Sequence, residues 1–275
     1  MTTEIMPESG FWLTSNRPAP HHAPRFEESV LTPGALRTLF QPIVSLGTDG
    51  WSVRALECLT RGPAGTHFEG ATTLFATARA FGLVAQLDQA CITTALGTVL
   101  RSEIPFPLFV NVDAETLITD RGFPTFLAAM AAGCDVPWSR ITLEITEHAR
   151  ALDIVRLACV VRELKDIGMR VAFDDFGPSE SDAMAIEICE PDVVKIEGSL
   201  LGAARYSSSA HALLERVVTL AGWRGATIVA EGLERPSDLD VAQQLGIGLL
   251  QGHLLCRPLA ADVARFADAH VACWP

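Results

Sequence analysis

The stretch ITLEITEHARALDIVRLACVVRELKDIGMRVAFDD, residues 141–175, decides the fold. It opens on a short apolar run, Ile141 to Ile145, which carries Glu144 next to its end. A longer stretch, Leu152 to Ile167, then spaces its apolar residues with a helical rather than an alternating period. A second apolar run, Arg170 to Phe173, follows and gives way to Asp174 and Asp175. Strand, helix, strand in that order is the repeating unit of a parallel sheet, because parallel neighbours need a crossover of a dozen residues or more.

Working outward, the same unit recurs on both sides. Apolar runs rich in β-branched and aromatic residues lie at Leu39 to Leu46, Trp51 to Leu59, Pro107 to Val112, Val193 to Ile196, Thr227 to Ala230 and Leu249 to Leu255. Helical segments lie between them at Ala71 to Phe81, Ala85 to Leu100, Ser209 to Ala221 and Ser237 to Leu245. The first two runs are too close for a crossover helix and pair as an antiparallel hairpin about Gly47 to Gly50. The pattern predicts an α/β fold, a (β/α)8 TIM-like barrel with the first strand antiparallel.

Composition bounds what such a barrel does. A length of 275 residues suits one barrel, and an apolar fraction of 49% supplies its core. No apolar run approaches the ~20 residues that span a bilayer, and no secretory signal precedes the domain, so the expected location is cytoplasmic with no membrane partner. A net charge of −12 without any cluster of Lys or Arg excludes a nucleic acid polymer as partner. An anionic small molecule is still admissible if bound divalent metal neutralises it. The seven cysteines are odd in number, scattered and free of CxxC spacing, which reads as reduced thiols rather than disulfides or zinc. Residues 1–34 read as a flexible leader because Pro18, Pro20 and Pro24 break any helix, and residues 35–275 as the barrel domain.

The strand ends carry the chemistry. Glu57 lies near the end of the second run, Asn111 ends the third, Glu144 the fourth, and Asp174 with Asp175 the fifth. Lys195 sits on the sixth, Glu231 ends the seventh and Gln251 lies on the eighth. Barrel sites are assembled at the C-terminal ends of strands, so these side chains should converge on one mouth. Each alone has a bland explanation as a helix cap or solvated loop residue, but the succession does not. Five carboxylates sharing one concavity repel one another, and hard divalent cations relieve that repulsion. Carboxylate and amide oxygens favour Mg²⁺ or Mn²⁺, and a pair of ions suits in-line cleavage of a phosphodiester. Asp174 is the expected shared ligand, and Lys195 the group that positions the attacking water or balances phosphoryl charge. A structural ion-pair network is the competing reading, yet one Lys and one Arg leave too many acids uncompensated.

These residues fall in an ordered set of motifs that resembles the EAL-domain family, bacterial phosphodiesterases that open the second messenger cyclic di-GMP to linear pGpG. The set comprises Phe40-Gln41-Pro42-Ile43-Val44, Glu57-Cys58-Leu59-Thr60-Arg61, Asn111, Glu144-Ile145-Thr146-Glu147, Asp174-Asp175-Phe176-Gly177, Lys195-Ile196-Glu197, Ala230-Glu231-Gly232-Leu233-Glu234 and Gln251-Gly252-His253-Leu254. It spans Leu39 to Leu259, the whole folded domain. The resemblance implies Glu57, Asn111, Glu144, Asp174, Asp175 and Glu231 as ligands of two ions, Mg²⁺ or Mn²⁺. It implies Lys195, with Glu57 and Glu231, as the catalytic set, and Gln41, Arg61 and Gln251 as nucleotide contacts. Glu147 and Glu234 are implied as loop supports, and a homodimer as the assembly. Three departures stand out: Cys58 replaces the signature's central Ala, Glu197 replaces the Asp that follows the family's catalytic Lys by two residues, and Gly177 to Ala183 gains Pro178, Glu180 and Asp182 where the family has a Gly-Thr-Gly-Tyr-Ser-Ser-like stretch. Glu180 and Asp182 read either as added charge at the metal site or as solvated acids. Two functional readings follow: an active phosphodiesterase, and a cyclic di-GMP receptor or protein-interaction module without turnover.

Overall fold

The computed structural model describes residues 23–48, 50–133, 136–146, 154–176, 179–265 and 267. Eight strands form a closed barrel in chain order: β1 (Arg37–Gly47), β2 (Gly50–Arg61), β3 (Leu108–Val112), β4 (Ile141–Ile145), β5 (Arg170–Phe176), β6 (Val193–Glu197), β7 (Thr227–Glu231) and β8 (Leu249–Leu250). From β2 to β8 every pair is parallel, and β1 runs antiparallel to both of its neighbours, β2 and β8. The chain is therefore the α/β barrel with an antiparallel first strand that its apolar runs imply. Around it lie α1 (Ala23–Val30), α2 (Ala71–Phe81), α3 (Val84–Arg101), α4 (Ala114–Thr119), α5 (Phe123–Gly133), α6 (Ile154–Asp166), α7 (Glu180–Cys189), α8 (Gly198–Tyr206), α9 (Ser208–Trp223), α10 (Pro236–Gln244) and the short α11 (Ala261–Ala264).

Strand side chains alternate between two cores, because successive residues point to opposite faces. The outward set packs with the helices in the main core, for example Leu56, Leu108, Val110, Leu143, Val194 and Ile196. The inward set is a small plug of Ile43, Ala55, Phe109, Ala172, Val193 and Val229, with Leu249 against it. Two residues beyond the plug, on the same inward face, come Glu57, Asn111, Asp174, Lys195, Glu231 and Gln251. On β1 the direction reverses, so Gln41 precedes Ile43 by two residues and still faces the same end. The plug fills the barrel with apolar volume and leaves one polar layer at the mouth.

Three local features differ from the sequence reading. The packed body begins inside the stretch assigned to a leader: α1 buries Phe26 and Val30, one helical turn apart, against Leu74, Ala78 and Leu87 of α2 and α3. Phe26 also meets Phe68 edge-on with ring centroids 5.2 Å apart. The eighth strand is two residues long, not seven. After Leu250 the chain turns to bond the loop behind β7, with Leu233 N donating to Gln251 O and Leu254 N to Leu233 O. Gly252 permits that approach, since a Cβ there would lie 2.2 Å from the Leu233 carbonyl oxygen. Finally, Trp223, a large aromatic whose simplest reading from sequence is a packing residue, is 83% exposed at the end of α9.

Candidate metal centre

Lys195 is the hub of the mouth. It sits on β6 with no exposed surface, and its Nζ lies 2.6 Å from Glu144 Oε1, 2.7 Å from Glu231 Oε2, 3.2 Å from Asp174 Oδ1 and 3.3 Å from Glu57 Oε2. One ammonium thus faces four carboxylates from four strands. Glu57 is further held by Asn111 Nδ2, which donates to Oε1 at 3.1 Å, and by Gln251 Nε2, which donates to Oε2 at 2.6 Å. Gln41 completes this row: its Oε1 accepts from Gln251 Nε2 at 3.3 Å, and its Nε2 donates to the Cys256 carbonyl at 2.9 Å. Gln41 and Gln251 are themselves buried, so this structure shows them orienting Glu57 and closing the β1–β8 seam.

Adjacent residues on a strand face opposite ways, which makes the pair Asp174 and Asp175 a puzzle. The resolution is a break in β5. Asp175 adopts a left-handed backbone with φ of +50°, and the pairing with β6 shifts register between Phe173 and Phe176. A left-handed aspartate is uncommon and stores strain, of the sort that gathers at functional sites. It turns both carboxylates toward Glu231: ligand oxygens of Asp174, Asp175 and Glu231 lie within 4.8 Å of one another. A second group, Glu57, Glu144 and Glu231, meets the same limit. The carboxylate common to both groups is Glu231, and Asp174 adjoins both Glu231 and Glu144.

Electrostatics make the cluster unstable as four bare anions. Burial, then the neighbouring Glu57 charge, pushes Glu144 well above its ordinary range. Burial likewise raises Glu231 to about 8, against the pull of Lys195. Burial works in the same direction on Asp174, but Lys195 and hydrogen bonds from Glu231 and Glu144 outweigh it and hold Asp174 low. Lys195 loses solvation, yet Asp174, Glu144, Glu231 and Glu57 together raise it well above its usual value, so it stays an ammonium. With all carboxylates ionised, no donor among the described residues reaches Glu144 Oε2 or Glu231 Oε1, both buried. Such oxygens must share protons or meet a cation. All-oxygen donors with spare buried lone pairs fit a hard divalent ion.

The remaining site residues take varied places. Arg61, partly buried, bonds the Thr60 carbonyl at 2.9 Å and lines a cavity of about 490 Å³ beside Glu57, Asn111 and Asp175. Glu234 is exposed and borders a second cavity of about 310 Å³, which also touches Gln41, Glu57, Asp175, Glu231 and Gln251. The carboxylate cluster therefore lies between two cavities that share Glu57 and Asp175. Glu147, Gly177 and Pro178 lie outside the described residues. Asp182 takes neither of its expected roles: its carboxylate accepts from Ser179 N at 3.2 Å while Ser179 Oγ accepts from Asp182 N, a capping box that starts α7. Cys58 is a buried free thiol pushed up by burial and by Glu57, so it is no nucleophile.

One polar group escaped the sequence reading. Asp88 of α3, Asp113 at the start of α4 and Arg79 of α2 meet on the wall of the 490 Å³ cavity. Arg79 Nε and Nη2 donate to Asp113 Oδ2 at 3.2 and 2.7 Å. Asp88 Oδ2 accepts from Asp113 N at 3.1 Å and from Thr116 Oγ1 at 2.5 Å. The available signal was Asp113 itself, an acid two residues past Asn111 on the same strand exit.

Similarity to known proteins agrees with this geometry. The EAL domain profile matches residues 26–258. Cyclic di-GMP phosphodiesterase PdeB of Shewanella oneidensis is 27% identical over 251 residues, which are 90% of this chain and 29% of PdeB. The chain spans less than half the length of the curated relatives it matches. Among solved structures, the PaMucR phosphodiesterase in complex with c-di-GMP superposes with a TM-score of 0.76 at 23% identity, over 86% of this chain and 97% of that one. BlrP1 of Klebsiella pneumoniae, a manganese and c-di-GMP complex, gives a TM-score of 0.72 at 24% identity, over 82% of this chain and 57% of that one. Both share the barrel. With the profile covering most of its length, the chain belongs to the EAL domain family.

Proposed function

We propose that this chain hydrolyses cyclic di-GMP to linear pGpG with two divalent ions, Mg²⁺ or Mn²⁺, held at the barrel mouth. The observation that carries the proposal is the convergence of Glu57, Glu144, Asp174, Asp175 and Glu231 into two oxygen groups, with buried oxygens that lack donors among the described residues. Glu57, Asn111, Glu144 and Asp174 would hold one ion, and Asp174, Asp175 and Glu231 the other. Glu231 belongs to both groups and so would share with Asp174 the contact to both ions. Bound ions would acidify a water and neutralise phosphoryl oxygens.

The chain's own residues do the rest. Lys195 is read as a cation rather than a base, because Asp174, Glu144, Glu231 and Glu57 together raise it well above its usual value. It is a fixed positive charge that orients those carboxylates and offers a proton-bearing group to the attacking water or a phosphoryl oxygen. Asn111 and Gln251 lock Glu57 in one orientation, which keeps the ligand set preorganised. Arg61 borders the larger cavity, where it can meet a phosphate or base, and Glu234 braces the rim of the smaller one. In the reaction water oxygen bonds to phosphorus, the P–O3′ bond breaks, and the 3′ oxygen leaves as a hydroxyl with a proton from water. The two cavities flanking the cluster suit a substrate with a base on each side of its scissile phosphate. Relatives named cyclic di-GMP phosphodiesterases support the same substrate.

The test is chromatography of cyclic di-GMP incubated with purified protein in Mg²⁺, Mn²⁺ or EDTA. The expected outcome is pGpG that forms with metal and not with EDTA. Binding by calorimetry without any product would instead support the receptor reading.

A further inference from the structure

We infer that Arg79, held by Asp113, reads a guanine base of the substrate in the 490 Å³ cavity. This deepens the cyclic di-GMP reading of the mouth and rests on it. Arg79 stands in the last turn of α2, and its side chain keeps about a third of its surface open (32%) while Asp113 is buried (2%). The pair is built from the inside out. Asp113 is fixed by its Oδ1, which accepts from Glu115 N at 2.9 Å to cap α4, and by its backbone N–H, which donates to Asp88. Its Oδ2 takes two donors from one edge of the guanidinium, which sets the plane of that group. Among the described residues nothing accepts from Nη1 of Arg79.

The location fits a base rather than a second phosphate. Asp113 follows Asn111 by two residues of extended backbone, so it sits roughly 6.6 Å beyond the carboxylate cluster along the same wall. Phe75, Ala76, Ala95 and Val110 supply apolar surface around it, as a flat ring needs. Guanine presents O6 and N7 side by side as acceptors, which a guanidinium can serve with two N–H groups. Adenine presents an amino donor beside N7, and that donor would face the donors of Arg79. Among the described residues, Arg61 and Arg79 are the cations lining this cavity, in a chain of net charge −12. The competing explanation is an ion pair that merely ties α2 to α4.

Base preference separates the two. Wild type, Arg79→Lys and the double variant Arg79→Gln/Asp113→Asn are compared in Mn²⁺ for KM and kcat on cyclic di-GMP. The same assays yield the inhibition constant of cyclic di-AMP, and thermal unfolding is recorded for each protein. The double variant strands no buried charge, and Arg79→Lys keeps the charge while losing the fork, so the test survives if the double variant fails to fold. The expected result is a KM for cyclic di-GMP raised about ten- to a hundredfold with kcat within about threefold, and little change in cyclic di-AMP inhibition. Equal weakening of both nucleotides, or an unchanged KM alongside a lowered melting point, overturns the inference and leaves a structural pair. A wild type that neither binds nor cleaves cyclic di-GMP overturns the underlying reading as well. A wild type that cleaves it with an Arg79-independent preference overturns only this one.

Discussion

Lys195 meets four carboxylates at 2.6–3.3 Å, which, were all four ionised, would leave three negative charges without a counterion among the described residues. Removing a partner from a buried ion cluster costs about 3–5 kcal/mol, because the remaining charges stay desolvated. Lys195→Met should therefore be destabilised by that amount in EDTA, with the deficit growing as pH rises and protons no longer neutralise the acids. Mn²⁺ should recover part of it. Urea unfolding at pH 6 and pH 8.5 measures both effects, and a variant as stable as wild type in EDTA would refute the hub role. Asp88 offers a pH test away from the ligands. Burial lifts its carboxyl from 3.8 to about 7, so the native state holds a proton that the unfolded chain has released. Stability from this group is complete below about pH 4 and falls as pH climbs to about 7. Asp88→Asn should flatten that slope, which denaturation at pH 4.5 and 7.5 would reveal. The strand-end acids were legible because each interrupts an apolar run. Arg79 and Asp88 were not, since they lie inside helical patterns and meet Asp113 only through chain separations of 34 and 25 residues. The turn of Asp175 was equally hidden, because nothing in a Asp-Asp dipeptide announces a positive φ.

At the scale of elements, the strands were readable where apolar runs of four or more residues end at a polar or charged residue. The eighth failed because Leu249 to Leu255 is apolar for a different purpose: its latter part packs across the loop behind β7. Gly252 is the residue that allows this, with Leu233 backbone atoms at 2.2–2.7 Å from any Cβ placed there. Gly252→Ala must push the two loops apart, and overpacking of this kind costs about 1–3 kcal/mol. The displaced loops carry Gln251 and Glu231, so activity should fall together with the melting temperature. Calorimetry paired with the chromatographic assay checks this, and an alanine variant with native activity would contradict it. The start of the body was misread for the opposite reason. Prolines dominate residues 18–24, and they masked the Phe26 and Val30 stripe that seats α1 on α2. That seat matters for the mouth, since α2 carries Arg79.

For the whole molecule, a net charge of −12 and an all-oxygen mouth make divalent ions the expected stabilising ligand. An ion at a hundred times its dissociation constant adds about 2.7 kcal/mol per site, or roughly 5–10 °C for a domain of this size. Melting curves recorded across a Mn²⁺ titration should climb with concentration, and Glu231→Gln, which touches both oxygen groups, should blunt the climb. Curves that ignore Mn²⁺ would argue against a metal centre. Fold class was open to reading at this scale because eight alternating units leave few ways to bury their faces. Closure of the barrel was legible too; the residue pairs at its closing seam were the part that spacing alone could not display. That seam pairs Val44 with Leu250, Phe40 with Leu259, and Gln41 with Gln251, the last two glutamines being 210 residues apart. A ribosome adding about 5–20 residues per second takes roughly 10–40 s to cover that interval. Throughout it the nascent chain holds two open sheet edges, which are sites for mispairing. The Gln251 amide that steadies Glu57 arrives only after β8, so a nascent chain that has not yet reached Gln251 has a mouth lacking one of its supports.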